Sequence, residues 1–187
     1  MARILILYSS TDGHTITICE RLQQALAEQD HEVALNPVVG FDGAAMTSFN
    51  TVVIGASIRY GRHSPHVSDF IACHRPILER MPGAFFSVNI VARKPEKNRP
   101  ETNPYMKKFL RQVAWRPALL AVFAGKLDYP RYGAVDRMMI RLIMLLTKGP
   151  TNPSTVVEFT DWRQVDAFAV QVGNLHRNHQ STGKICC

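Results

Sequence analysis

The chain has 187 residues, of which 46% are hydrophobic and 20% are charged, and its formal net charge is +7 at neutral pH. A chain of this length and composition predicts one globular domain that needs no disulfides, since about 70% of its unfolded surface can be buried. The mean hydropathy of −0.07 excludes a general membrane character.

The predicted elements alternate between strands and helices along the chain. Apolar runs predict five strands, and amphipathic stretches between them predict four helices, one of them at the end of the chain. The strands are expected at 4–8, 31–35, 51–56, 84–91 and 118–124, and the first three helices at 15–29, 66–80 and 103–114. Continuous apolar strands are typical of a sheet buried on both faces. The alternation therefore predicts a doubly wound parallel α/β sheet in the order 2-1-3-4-5.

Two segments fall outside this alternation. An insertion is expected at about 125–153, before a short apolar run at 156–159 and the last helix. Residues 174–187, which include Cys186 and Cys187, are predicted to form a flexible tail after a single domain over 1–173. Cys19 and Cys73 fall on apolar helix faces, which predicts buried, reduced thiols.

The positive charge is concentrated in one segment. Residues 93–148 carry thirteen Lys and Arg against four Asp and Glu, whereas the rest of the chain carries nine against eleven. This asymmetry indicates a local anionic partner. We do not expect that partner to be a nucleic acid, because the segment lacks a recognition helix or an aromatic-basic motif.

The turn after the first strand has the character of a phosphate site. Residues 9–15 supply hydroxyl groups and one glycine at the start of a helix, where free N–H groups and the helix dipole favour an anion. A triphosphate loop would need a lysine after Gly13, and a dinucleotide loop would need three glycines. The hydroxyls can enclose one monophosphate, as in the flavin mononucleotide loop of flavodoxins. An ordinary capped turn is the alternative.

Loops at the carboxyl ends of neighbouring strands strengthen this prediction. Ligands of doubly wound sheets bind at those ends, beside the switch between strands 1 and 3. The loops that begin at Ser9, Ser57 and Asn89 are expected there. A phosphoacceptor receiver domain would need acidic residues at the ends of strands 1 and 3, where this chain has serines.

Four segments resemble one enzyme family closely. They are residues 10–15, 53–61, 86–97 and 129–132. The likeness is to the menaquinone-dependent protoporphyrinogen IX dehydrogenases of proteobacterial haem synthesis, and it covers nearly all of residues 3–172. It implies a flavodoxin-like FMN enzyme that takes hydrogen from protoporphyrinogen IX and passes electrons to a membrane quinone. It also implies a peripheral protein on the cytoplasmic face of the inner membrane.

The resemblance carries over to individual cofactor residues. The group expected around the FMN phosphate is Ser10, Thr11, Asp12, Gly13, His14 and Thr15. The group expected around the isoalloxazine is Ser57, Ile58, Arg59, Tyr60, Gly61, Ser87, Val88 and Asn89. Tyr60 is a candidate for stacking on the ring. Asp12 would repel a phosphate, so we expect it to turn outward or to cap a backbone N–H.

The substrate that the resemblance implies has two propionates on a broad apolar ring. It should need basic groups at the edge of an apolar cleft. The candidates are Arg59, Arg93, Lys94 and Arg131. His63 is a candidate base, although a surface histidine near His66 is the alternative. The spacing of these two histidines is weak evidence for a metal, and no metal site is expected.

The insertion contains an amphipathic stretch over 134–148. Its 15 residues are too few to cross a bilayer, and three basic residues, Arg137, Arg141 and Lys148, share one helical face. The remaining face is apolar, as in a helix that lies in a membrane interface. A helix packed on the sheet, or one in the subunit interface of a homo-oligomer, is the alternative.

Two other functions use the same flavin site. A flavodoxin-type electron carrier needs the same phosphate turn, but such carriers are usually acidic and this chain is basic. An NAD(P)H:quinone reductase is a rival among enzymes.

Overall fold

A computed structural model describes residues 1–146 and 149–182. The strands are β1 (Arg3–Ser9), β2 (Glu32–Pro37), β3 (Thr51–Arg59), β4 (Arg62–His63), β5 (Gly83–Val88), β6 (Leu119–Phe123), β7 (Lys126–Asp128) and β8 (Val156–Glu158). The helices are α1 (His14–Ala27), α2 (Pro65–Leu78), α3 (Pro104–Gln112), α4 (Ala134–Leu146) and α5 (Trp162–Thr182).

The five long strands form the predicted parallel sheet. Their order is β2-β1-β3-β5-β6, which confirms the predicted order 2-1-3-4-5 when the short β4 is set aside. Ile6 of β1 pairs with Leu35 on one side and with Val53 on the other. The carboxyl ends of β1, β3 and β5 therefore meet at one edge of the sheet.

Strand β3 is longer than predicted, because it continues into a hairpin. Arg59 pairs with Arg62 of β4 in antiparallel fashion. Tyr60 and Gly61 form the turn, with φ of 49° and 76°. Two successive positive φ values are the pattern of a type I′ hairpin turn. The hairpin extends the polypeptide beyond the sheet edge.

Helices cover both faces of the sheet, so alternate strand residues enter different cores. Leu5 and Phe85 face α2 and α3, whereas Ile6 and Phe86 face α1 and α5. Cys19 is buried as predicted, but Cys73 is exposed. The prediction for Cys73 is wrong because the buried positions of α2 are Val67, Phe70, Ile71 and Leu78, and residue 73 lies off that stripe.

The insertion forms its own small unit. Its strand β7 pairs antiparallel with β8, so the run at 156–159 does not join the main sheet. Residues 147 and 148, and with them Lys148, lie outside the described residues. No helix in the described ranges combines the length and hydropathy that a bilayer crossing requires.

Helix α5 is longer than expected. It continues to Thr182, so the predicted tail is helical over 174–182. Residues 183–187, including Cys186 and Cys187, lie outside the described part of the chain.

Candidate active site

A cleft opens at the carboxyl ends of β1, β3 and β5. It holds about 910 Å³ of empty space, part of it open to solvent. Eleven of the fourteen predicted cofactor residues line it: Ser10, Asp12, His14, Thr15, Ser57, Ile58, Arg59, Tyr60, Gly61, Val88 and Asn89. Thr11, Gly13 and Ser87 are not among the lining residues; Thr11 is exposed and Ser87 is buried. The structure thus brings three distant loops to one cavity.

The predicted phosphate turn, residues 9–15, presents helix amides to the cleft. Gly13 is the N-cap of α1 and has a φ of +88°, in the left-handed region that favours glycine. Because glycine has no side chain, the N-cap residue accepts no hydrogen bond from the first N–H groups of the helix through a side chain. Ser10 Oγ accepts the Gly13 amide at 3.1 Å, and Thr11 Oγ1 lies 3.3 Å from Ser57 Oγ. Thr15 is buried beside them. This end of the helix suits an anion.

Asp12 is exposed, and its charge is paired. Its Oδ1 accepts a hydrogen bond from Arg59 Nη1 at 2.9 Å, rather than from a backbone N–H. A second carboxylate, that of Asp136 on α4, contacts Arg59 Nη2. The guanidinium offsets the repulsion that Asp12 would exert on a phosphate.

His14 is held in one tautomer. Its Nε2 lies 2.6 Å from Thr160 Oγ1, and that hydroxyl donates its hydrogen to the Ala124 carbonyl at 2.8 Å. The hydroxyl has one hydrogen, so Nε2 of His14 must be the donor. Burial lowers the pKa of His14. The imidazole therefore ties the phosphate turn to the loop before α5 in its neutral form.

A buried polar network supports the loop after β5. Asn89 Oδ1 accepts from the Ala92 amide at 3.0 Å and from Asn103 Nδ2 at 3.2 Å, and its Nδ2 donates to Ser87 Oγ at 3.3 Å. Three partners hold this side chain, so the loop is rigid on the side that faces the cleft.

His63 belongs to this network and not to the cleft wall. Its Nε2 lies 2.9 Å from Ser87 Oγ, and its ring packs edge-on against Phe85 and Phe109. Burial lowers the pKa of His63 to about 3. The alternative of a surface histidine is wrong, because the β3–β4 hairpin turns residue 63 inward. The candidate base does not face the cleft.

This burial predicts a pH-dependent stability. Between the ordinary pKa of 6.5 and the folded pKa of about 3, the unfolded chain binds a proton that the folded chain does not. The stability that the neutral, buried His63 contributes is fully present above pH 6.5. As the pH falls below that value, the free energy of unfolding decreases by about 1.4 kcal/mol per pH unit. In urea unfolding, we expect the free energy of unfolding to fall about 2 kcal/mol less from pH 7 to pH 5 in His63→Gln than in the parent.

The exposed His66 supplies the control for this prediction. His66→Gln should keep the pH dependence of the parent. An unchanged dependence in His63→Gln would mean that His63 titrates normally in the folded protein.

The basic residues of the cleft differ from those predicted. Among the residues described, the cleft wall includes Arg59 and Lys126 but not Arg93, Lys94 or Arg131. The turn after β5 directs Arg93 Nη1 to the Ile90 carbonyl at 3.2 Å. Arg131 is exposed beside the buried Tyr129. Lys126 was missed because the sequence places it in an insertion of unknown path; its Nζ lies 3.7 Å from Asp128.

Helix α4 forms an apolar wall that the sequence did not predict. Its inner face contributes Met139, Ile140, Ile143 and Met144 to the cleft. This face packs on Leu127, Tyr129 and Tyr132 of the same insertion and on Ile90 after β5, whereas the alternative places the helix on the sheet. The other face exposes Val135, Met138, Leu142, Leu145 and Leu146, each more than half accessible.

Comparisons with known proteins agree with this architecture. A family model described as a flavodoxin domain matches residues 5–154. An archaeal flavodoxin structure superposes with a TM-score of 0.51 at 10% identity, covering 94% of this chain and 99% of the flavodoxin. At this identity the structure supports the fold alone.

Two relatives are much closer in sequence. The protoporphyrinogen IX dehydrogenase (quinone) of Escherichia coli K12 is 44% identical over 173 residues, 92% of this chain and 96% of that protein. The protein of the same name from Leishmania major is 44% identical over 169 residues, 89% of this chain and 73% of that protein. The chain therefore belongs to the flavodoxin-domain proteins and, among them, to the family of quinone-type protoporphyrinogen IX dehydrogenases.

Proposed function

We propose that this protein dehydrogenates protoporphyrinogen IX to protoporphyrin IX with FMN as its cofactor and a membrane quinone as electron acceptor, in haem synthesis. The observation that carries the proposal is the cleft, where a phosphate turn, an apolar wall and two basic side chains meet. The 44% identity to dehydrogenases named for this reaction supports it.

The donor set of the turn fits FMN. The amides at the start of α1 and the hydroxyls of Ser10 and Thr15 suit one terminal phosphate. The turn has no lysine for a triphosphate and too few glycines for a pyrophosphate. The hairpin at Tyr60 and the loop at Asn89 would hold the ring between them. A bound flavin supplies the hydride acceptor, so the protein needs no nucleophile of its own.

The wall of the cleft that α4 forms fits a tetrapyrrole that carries carboxylates. Met139, Ile140 and Ile143 offer apolar surface, and Arg59 and Lys126 offer positive charge at its edge. These side chains would orient the ring and bind its propionates, which charged hydrogen bonds do best. Their closeness to the flavin loops suits a direct transfer of hydrogen from the substrate.

One assay tests the reaction. Purified, FMN-loaded protein is incubated without oxygen with protoporphyrinogen IX and a menaquinone analogue, while porphyrin fluorescence is followed. We expect porphyrin to form only when the quinone is present. A carrier would give no quinone-dependent porphyrin, and an NAD(P)H:quinone reductase would oxidise NADPH instead. Either result would contradict the proposal.

We also propose that the protein lies on the cytoplasmic face of the inner membrane through the exposed face of α4. Arg137 and Arg141 lie beside Met138, Leu142 and Leu145, and each basic residue near an anionic surface supplies about 1 kcal/mol. Two such residues fall short of the roughly 4 kcal/mol of a millimolar affinity. The exposed Met138, Leu142 and Leu145 must therefore supply most of the binding. A second copy of the chain is the alternative partner for this face.

A further inference from the structure

Arg59 and Tyr60 together form a site for a carboxylate inside the cleft. The Arg59 guanidinium donates to Asp136 Oδ2 through Nη2, and the Tyr60 hydroxyl donates to Asp136 Oδ1. The guanidinium carbon also lies 5.5 Å from the centre of the Tyr60 ring. Each oxygen of one carboxylate thus has its own donor, an arrangement that recognises carboxylates by shape as well as by charge.

The carboxylate in this site belongs to the protein itself. Asp136 comes from the first turn of α4 and is the one acidic residue of that helix. Its side chain is 19% exposed, and the residues of α4 that line the cleft with it are apolar. The contact joins α4 to the β3–β4 hairpin across the cleft. It therefore holds α4 against the site where the substrate must enter.

We propose that Asp136 occupies, in the free protein, the position that a propionate of the substrate takes in the complex. This inference rests on the proposed function, because it needs a substrate that carries carboxylates. Binding then exchanges one carboxylate for another on Arg59 and Tyr60. Arg59 keeps two anionic partners throughout, since Asp12 remains bound through Nη1. The exchange frees Asp136 and, with it, α4.

The exchange makes Asp136 a specificity-determining residue. An apolar molecule without a carboxylate has nothing to offer Arg59 in place of Asp136. Displacing Asp136 would leave the partly buried guanidinium with fewer partners, so such a molecule binds without displacing it. A carboxylate ligand replaces the contact that it breaks. A substitution at residue 136 should therefore change the affinity for a carboxylate ligand more than the affinity for a ligand without one.

Equilibrium binding to the FMN-loaded protein tests the proposal without turnover. The two probes are protoporphyrin IX and its dimethyl ester, in which both propionates are blocked. In Asp136→Asn the internal competitor loses its charge, so we expect the affinity for the diacid to rise about tenfold. The affinity for the ester should change less than about twofold. The conservative Asp136→Glu should keep the diacid affinity near that of the parent.

Three results would overturn the exchange. If Asp136→Asn raises the affinity for both probes equally, Asp136 only holds α4 closed. If the affinity for the diacid is unchanged or weaker, Asp136 does not compete with the propionate. In the parent protein, the diacid should speed amide hydrogen exchange over 134–146 and the ester should not; equal effects would likewise contradict the proposal. A failed dehydrogenation assay alone would leave this binding difference intact, so the two proposals fail separately.

Discussion

Replacing Met138, Leu142 and Leu145 together by aspartate is expected to lower vesicle binding by at least about a hundredfold. These side chains form the exposed stripe of α4, with accessibilities of 65%, 52% and 68%. Burying each one in a lipid interface contributes up to about 1.5–3 kcal/mol, and carboxylates reverse that gain. The measurement is co-sedimentation with mixed phosphatidylcholine and phosphatidylglycerol vesicles. Quinone reduction in the same vesicles should fall in parallel.

A matched variant separates the effect of losing the apolar stripe of α4 from the effect of the added negative charge on vesicle binding. Val39, Val156 and Val170 are also more than half exposed but lie outside α4. Aspartate at all three changes the net charge by the same amount and should leave vesicle binding within about threefold of the parent. Equal losses in the two triple variants would mean that charge alone governs binding. Retained binding by the α4 variant would remove the proposed anchor.

Deleting the whole insertion would be a poorer experiment. The inner residues of α4, such as Ile140 and Met144, line the cleft. Their removal would open the site and disturb flavin and substrate binding together with membrane association. The three outward substitutions change only the face that the domain leaves exposed.

Thr15→Val is expected to weaken FMN binding by about 10- to 150-fold. Thr15 is buried in the phosphate turn, and valine matches its shape without the hydroxyl. A hydrogen bond to a charged group contributes about 1.5–3 kcal/mol, which gives this range. Flavin fluorescence during titration of the apoprotein measures the affinity.

Two comparisons sharpen this prediction. Thr17 lies on the exposed side of the same helix, so Thr17→Val should bind FMN like the parent. Riboflavin has no phosphate, so Thr15→Val should leave its affinity unchanged. An equal loss for riboflavin and FMN would show that the substitution disturbs the ring site and would contradict a phosphate role for Thr15.

The strands, their order and the hydroxyl-rich turn before α1 could be read from the sequence because local patterns determine them. Continuous apolar runs such as 51–56 occur where a strand is buried on both faces, and the alternation with helices leaves few topologies. The turn before α1 follows from hydroxyl residues and Gly13 at a strand–helix junction. No long-range contact is needed for either prediction.

The positions of His63 and Arg93 needed tertiary information. The hairpin at Tyr60 and Gly61 turns His63 into the core, whereas the loop position suggested a surface or cleft residue. Arg93 donates to the Ile90 carbonyl after β5 and is not part of the cleft wall. Basic residues look alike in a sequence. Within 1–146 and 149–182, only the path of the backbone shows that Arg59 and Lys126 line the cleft.

The sequence by itself determined the doubly wound fold, a turn of hydroxyl residues and one glycine before the first helix, and an apolar, basic helix in the insertion. Only the tertiary structure decided how that helix divides its two faces. One face closes the cleft and brings Asp136 to Arg59, and the other exposes Met138 and Leu142. The physical reason is that helical periodicity identifies which residues share a face, whereas tertiary contacts, such as that of Asp136 with Arg59 77 positions away, decide which face is buried.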